Sequence, residues 1–252
     1  TACIIRCLHW HCNMTNNVFN SFLQVFMVCD DTSCYCILLQ YSLLYLYLTL
    51  TGYIEKMHPL LSQPSIIIKV SELMSGMTLA QKIGQMVQAE RQSCSPDDVK
   101  KYHLGSILSG AGSLPESNDI NGWLKTTDSY WQASVYKDDH HLSIPLLYGV
   151  DAIHGHNNLK GATIFPHNIG LGATNDTDLV RRIADTTRKE VLATGVDWVF
   201  APNLAVAQNI QWGRYYESYS QSPDLINKYA GEIVDGLQGK LNGEGVIAWV
   251  KH

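Results

Sequence analysis

Charge is scarce in this chain. Asp, Glu, Lys and Arg make up 16% of its 252 residues, against roughly 25% for an average globular sequence. The shortfall is concentrated at one end. Residues 1–56 carry only Arg6, Asp30, Asp31, Glu55 and Lys56 as charged side chains, contain Ala2 and Gly52 as their sole alanine and glycine, and have no proline. They also hold Cys3, Cys7, Cys12, Cys29, Cys34 and Cys36, six of the seven cysteines, with neither the paired spacing of a zinc site nor a regular disulfide framework. The basic start and small-residue cleavage site of a secretory signal are not evident. Thr32 to Ile54 is uncharged and long enough to cross a bilayer. However, it includes Gln40, Ser42, Thr49, Thr51 and several tyrosines, and no Lys/Arg cluster orients it. Residues 1–56 therefore read as an atypical, non-homologous extension, closer to translated upstream sequence than to a selected domain. A membrane anchor and a signal or pro-segment are the alternatives, with a membrane partner disfavoured.

An excess of positive charge is also missing. A net charge of -5 gives no basic field for DNA or RNA and argues against a nucleic-acid partner. From Met57 onward the composition becomes that of an ordinary folded domain, assigned to 57–252.

In that part the hydrophobic periodicity is legible. Thr78 with Gln81 has capping-box spacing, and Leu79, Ile83, Met86 and Val87 form one apolar stripe that predicts a packed helix. Ser95, Pro96, Asp97 and Asp98 open a second, short helix ending near His103. Leu104 to Leu108 reads as a first strand, followed by the glycine-containing loop Ser109 to Ser113. A phosphate-binding reading of that loop lacks a third glycine and a following Lys-Ser/Thr, so a plain connecting loop is preferred. Ile120, Trp123, Leu124, Trp131 and Val135 keep helical spacing. Leu146 to Val150 is a second strand, apolar enough for burial on both faces. Asn175, Asp176 and Thr177 cap a helix carrying Leu179, Ile183, Ala184 and Val191, with Gly195 as its stop. Val196 to Phe200 is a third strand. Ser222 and Pro223 start a helix with Ile226, Tyr229, Ile233 and Leu237 inward, and Val246 to Val250 is a fourth strand. Alternating strands and helices imply right-handed crossovers and a parallel sheet. The expected fold is α/β: an incomplete TIM-type (β/α)8 barrel of about four βα units, a half-barrel with unpaired edges, and hence a fragment.

Polar residues stand where the apolar runs end: Asp151 after LLYGV, Asn203 after WVFAP with Arg214 beyond it, and Lys251 and His252 after VIAWV. Such placement at the C-terminal ends of parallel strands builds a binding mouth, here read as one wall of a sugar pocket. Competing readings make Asp151 a helix cap or loop acid and Arg214 half of a surface ion pair with Glu217. Glu217 is assigned to orienting Arg214.

YGVDAIHGHNN (Tyr148 to Asn158), GATIFPHNIGLGATND (Gly161 to Asp176), FAPNLAV (Phe200 to Val206), WGRYYESYS (Trp212 to Ser220) and the closing VKH resemble the N-terminal barrel domain of glycoside hydrolase family 3. The closest similarity is to its β-glucosidase and β-glucan exohydrolase branch. MTLAQKIGQM (Met77 to Met86) is similar to the family's opening helix, so the resemblance runs from about residue 65 to the last. It implies that Asp151, Arg214, Lys251 and His252 hold the hydroxyls of the innermost sugar, a carboxylate accepting hydrogens while the cations and imidazole donate. It also implies a retaining mechanism that needs two carboxyl groups roughly 5–5.5 Å apart, with the nucleophilic Asp and the acid/base Glu beyond residue 252. No catalytic residue is thus expected in this chain, which is expected to be inactive alone. The implied partners are a β-glucoside or β-glucan oligosaccharide and the remaining half-barrel and second domain. No cofactor or metal is implied, and the intact family is expected to be periplasmic or secreted.

Three other functions compete with this one. His154 and His156, with His167 as a third ligand, suit a metal-dependent hydrolase. Lys251 at a strand end suits an aldolase-like Schiff base. A truncated, non-catalytic sugar-binding fragment is the third.

Overall fold

The computed structural model describes residues 64–138, 143–240 and 243–252. The chain divides into two compact units, Thr1–Ser75 and Gly76–His252. In the first, helix α1 (Pro64–Ser75) buries none of its residues. The extension 1–56, with the Thr32 to Ile54 span, lies outside the described residues. Among those described, no helix is long and apolar enough to cross a membrane.

The second unit is an α/β fold with a five-stranded parallel sheet in the order β1-β2-β3-β4-β5. Its strands are β1 (Gln88–Glu90), β2 (Ser106–Ser109), β3 (Leu147–Val150), β4 (Trp198–Val199) and β5 (Ile247–Ala248). Around and between them lie α2 (Leu79–Gln85), α3 (Pro96–Tyr102), α4 (Ile120–Ser134), α5 (Asn168–Thr174), α6 (Thr177–Leu192) and α7 (Pro223–Gln238). The expected count of four strands omits β1. Its Gln-Ala-Glu sequence has no apolar run to reveal it, and only its pairing with Ser106, Ile107 and Leu108 makes it a strand.

Caps fix the helix ends where the sequence places them. Thr78 and Gln81 close both halves of a capping box on α2, and Ser95 and Asp98 do the same on α3, which stops at the left-handed His103. Each box satisfies main-chain donors that the helix leaves unpaired. The apolar stripe of α2 differs from expectation: Leu79, Ile83, Met86 and Val87 are all exposed. Ile83 and Val87 border an open groove of about 640 Å³ between α2, β1 and α3, beside an edge strand with no neighbour on its other side among the described residues. On α4, Trp123, Thr127 and Tyr130 are buried while Ile120, Leu124 and Trp131 are exposed. The inward face is therefore rotated from the one the larger residues suggest, because Thr127 donates to the Thr194 carbonyl at 3.1 Å and Tyr130 to that of Cys94 at 2.5 Å.

The period-2 alternation of strands separates the sheet's two faces. Ile107, Tyr148, Val150 and Val199 belong to the buried cluster, together with Val99, Trp123, Val180, Val191, Tyr229 and Leu237 from the helices. Leu108, Gly149, Trp198 and Ile247 share the opposite face through direct register. There Trp198 stacks on Trp249 with ring centroids 4.8 Å apart, and Phe200 meets Trp198 edge-on. Gly149 leaves the space that Phe200 occupies, since a Cβ at 149 would lie 2.5 Å from its ring. Burial of β3 on both faces holds at Tyr148, Gly149 and Val150 but not at Leu147, which is exposed at the start of the strand. At the N-terminal ends of the strands, the Asp197 carboxylate accepts from the Tyr148 N–H at 2.9 Å and its carbonyl accepts from Ile247 N–H at 2.8 Å.

Helix α5 is absent from the sequence-based expectation, since Gly170 and Gly172 weaken its helical signal. Gly172 is required by contact: a Cβ there would sit 1.6 Å from the Tyr219 carbonyl oxygen. This close approach seats the 215–219 segment, which carries Glu217, against α5. Tyr229 of α7 completes the joint, donating to the Leu171 carbonyl at 3.1 Å and accepting from the Asp176 N–H at 3.0 Å.

Gly172→Ala should destabilise the protein by about 1–3 kcal/mol, the usual cost of overpacking, read as a melting temperature lower by several degrees. An unchanged melting temperature would show that α5 and the Tyr219 main chain do not approach this closely.

Candidate functional site

Three parallel strands deliver the residues. Val150 pairs with Val199 and Val199 with Ala248, and beyond them the ladder continues as a bridge between Asn203 and Lys251, with Lys251 N–H donating to the Pro202 carbonyl at 3.0 Å and Leu204 N–H to that of Lys251 at 3.1 Å. The Ala201–Pro202 peptide is cis. Asp151, one residue past β3, and Lys251 are thereby brought to the same rim, where Lys251 Nζ lies 3.1 Å from Asp151 Oδ1. The Lys251 side chain is 15% exposed and that of Asp151 42%, so the cation is nearly enclosed while the carboxylate keeps an open side. The Lys251 ammonium also lies 6.0 Å from the centre of the Phe200 ring.

Arg214 arrives from the loop after β4. Its Nε and Nη2 each lie 2.6 Å from an oxygen of Glu217, a fork-to-carboxylate pair of the strong bidentate kind. The carboxylate is almost wholly enclosed, at 8% exposure, whereas the arginine side chain is 43% exposed. Asn203, fully buried, donates from Nδ2 to Glu217 Oε2 at 3.3 Å. Asn168, also fully buried, donates to the Glu217 carbonyl at 2.7 Å. Burial raises the Glu217 pKa, but hydrogen bonding and charge from Arg214, helped by Asn203 and Lys251, outweigh it and hold the carboxyl below the ordinary glutamate value. Hydrogen bonding to Glu217 is also what pushes the Arg214 guanidinium up.

His252 completes the group. Burial, then the charges of Arg214 and Lys251, push its imidazole below the usual histidine value, against the opposite pull of Glu217 and Asp151. The structure thus brings Asp151, Arg214, Lys251 and His252 within electrostatic reach of one another. Together they supply one carboxylate, two cations and one imidazole, a donor and acceptor set suited to a polyhydroxylated ring. Glu217 points into Arg214, as its assigned orienting role requires. Sequence reading passed over Asn168, whose helix was hidden by its glycines.

The metal reading fails on geometry. His156 is fully buried, with Nε2 3.1 Å from the Thr194 hydroxyl and its ring edge-on to Trp123. Burial lowers its pKa to about 4, leaving a neutral core imidazole. His154 turns elsewhere and packs against His167 with ring centroids 4.3 Å apart. Among the described residues no group of three or more His, Cys, Asp or Glu could hold a metal ion. For the Schiff-base reading, Lys251 Nζ lies 3.1 Å from Asp151 Oδ1, a contact that must open before the amine can reach a carbonyl. In the loop after β2, Gly110 and Gly112 offer carbonyl oxygens to Asn158 and Gln92 at 2.9 and 3.3 Å, the reverse of an amide cradle for phosphate.

Residues 78–252 match the profile of the glycosyl hydrolase family 3 N terminal domain. A lysosomal beta glucosidase of Dictyostelium discoideum is 32% identical over 207 residues, covering 73% of this chain and 25% of the relative. Among solved structures, the exo-1,3/1,4-beta-glucanase of a Pseudoalteromonas species is 45% identical with a TM-score of 0.72, over 75% of this chain and 25% of that one. The beta-glucosidase of Listeria innocua in complex with glucose is 29% identical with a TM-score of 0.56, over 73% and 26%. The chain spans about a quarter of the length of these relatives.

Because Glu217 titrates lower in the folded chain than in the unfolded one, its contribution to stability is complete above the ordinary glutamate value of about 4.3 and is lost as pH falls through the folded value. Glu217→Gln should therefore melt below the wild type at pH 7, with the gap closing below about pH 4. A gap that stays constant across that range would mean the carboxylate charge contributes nothing.

Proposed function

This chain belongs to glycoside hydrolase family 3, and from that premise we propose that it forms the glucose-holding part of a retaining, exo-acting β-glucosidase whose substrates are β-glucosides or β-glucan oligosaccharides. Asp151, Arg214, Lys251 and His252 make the innermost subsite. The observation that carries this reading is the contact between Lys251 Nζ and Asp151 Oδ1 across 100 residues of sequence, at a strand-end rim that Arg214 and His252 also reach.

In the proposed mechanism, the Asp151 carboxylate accepts hydrogens from adjacent hydroxyls on the terminal glucosyl ring. Its pairing with Lys251 holds it in place while leaving lone pairs free, since a carboxylate has about four acceptor sites. Lys251 and Arg214 donate to the neighbouring oxygens as fixed charges, and Glu217 stops Arg214 from swinging into solvent. These contacts orient the ring, which supplies the positional part of catalysis. No carboxylate of this chain is assigned as nucleophile or as acid/base. Glu217 in particular is committed to Arg214 through both oxygens and is poorly placed to attack an anomeric carbon.

Isothermal titration of the purified chain with glucose tests the proposal. Saturable binding is expected. Asp151→Asn and Lys251→Met should each weaken it about 10- to 100-fold, the loss expected for a hydrogen bond to a charged group. Absence of wild-type binding at high millimolar glucose, or variants that bind as tightly as the wild type, would sink it.

A further inference from the structure

Asn203 is linked to both cationic arms of the site, to Lys251 directly and to Arg214 through Glu217. Its main chain forms the bridge with Lys251, flanked by the Lys251-to-Pro202 and Leu204-to-Lys251 hydrogen bonds. Its side chain works in the other direction: Nδ2 donates to Glu217 Oε2 at 3.3 Å, the same oxygen that receives Arg214 Nη2 at 2.6 Å. Oδ1 is occupied separately, accepting from the Ala205 N–H at 2.9 Å. The residue is fully buried, so water cannot replace either bond, and an amide is the simplest side chain of this size that donates on one arm and accepts on the other.

We propose that Asn203 is a positioning residue that fixes Arg214, through Glu217, relative to Lys251, so that the two cations keep one spacing across the mouth. Its importance for a sugar rests on the function proposed above; the coupling itself does not. Arg214 is on an irregular loop and is 43% exposed, whereas Lys251 is fixed by the sheet. The sequence of contacts from the Lys251 main chain through Asn203 and Glu217 to Arg214 links the loop-borne donor to the rigid one. Asn168 and the Gly172–Tyr219 approach hold the main chain of this segment on α5; Asn203 adds a tie from the Glu217 side chain, and so from the Arg214 guanidinium, to the Lys251 ladder.

Asn203→Asp isolates this role. The substitution is isosteric and keeps the acceptor that caps Ala205, but turns the donor facing Glu217 into an oxygen. Two carboxylates in contact cannot both stay ionised without mutual repulsion, and a shared proton restores the bond. The other titratable or charged groups around the position are Arg214 on the same loop, Lys251 and His252 after β5, Asp151 after β3, and His154, whose imidazole feels the Glu217 charge. Wild type and Asn203→Ala, measured at the same pH values, cancel their titration.

Two readouts at pH 5 and pH 8 decide the matter. The first, without sugar, is solvent exchange of the Arg214 Nε–H by NMR; the second is glucose affinity by calorimetry. Asn203→Asp should exchange faster and bind about tenfold more weakly at pH 8, and approach the wild type at pH 5. Asn203→Ala should be impaired equally at both. If Asn203→Asp unfolds at pH 8, Asn203→Ala carries the test at that pH, and its Arg214 Nε–H should still exchange faster than in the wild type. Arg214 exchange in Asn203→Asp equal to wild type at both pH values, equal impairment at both, or wild-type exchange in Asn203→Ala would overturn the proposal. Altered exchange with no glucose binding by the wild type would leave the positioning role standing and remove the sugar reading instead.

Discussion

The Val150 carbonyl accepts from the Phe200 N–H at 2.9 Å, Val199 from Trp249 at 3.0 Å and Pro202 from Lys251 at 3.0 Å. These main-chain bonds determine how far each strand end projects. A slip of one residue in any of them would turn Asp151 or Lys251 to the helix-covered face, because side chains alternate across a strand. The Asp151–Lys251 pair therefore follows from register. The register in turn is secured by packing: Val150 and Val199 sit in the core, and Gly149 admits Phe200 on the other face.

Charge is arranged around that framework with few degrees of freedom left over. Lys251 is anchored by its strand and paired with Asp151; Arg214 is anchored by Glu217, and Glu217 by two buried asparagines. Burying the Glu217 carboxylate would be costly by itself, and a bidentate guanidinium with neutral donors offsets that cost. The arrangement keeps both cations oriented, which in the proposed function would lessen the ordering needed on binding.

The same physics separates site from core among residues of similar appearance. His154 and His156 are two positions apart in sequence but diverge in space, one against His167 and the other sealed between Trp123 and Thr194. Asp151 and Lys251 are far apart in sequence and meet. Proximity along the chain was a poor guide to chemistry here, and strand-end position was a good one.

Much of the fold could be read directly. The capping boxes at Thr78 and Ser95, the inward stripe Ile226, Tyr229, Ile233 and Leu237, and the three apolar strands before Asp151, Asn203 and Lys251 are local patterns, and local patterns survive in a one-dimensional record. Strand β1 and helix α5 were hidden because Gln-Ala-Glu and a glycine-rich turn are structured by their neighbours: β1 by pairing with β2, α5 by the Tyr219 main chain fitting against Gly172. The α2 stripe is legible as apolar, yet its exposure depends on what lies beside an edge strand, which periodicity does not encode. The sequence by itself determined which residue types stand at the strand ends and which family they match, since both are properties of order and spacing. Only the tertiary structure decided that Asn203 and Asn168 hold Glu217, that Glu217 holds Arg214, and that Lys251 reaches Asp151, because those contacts depend on parallel register and on distances across the sheet.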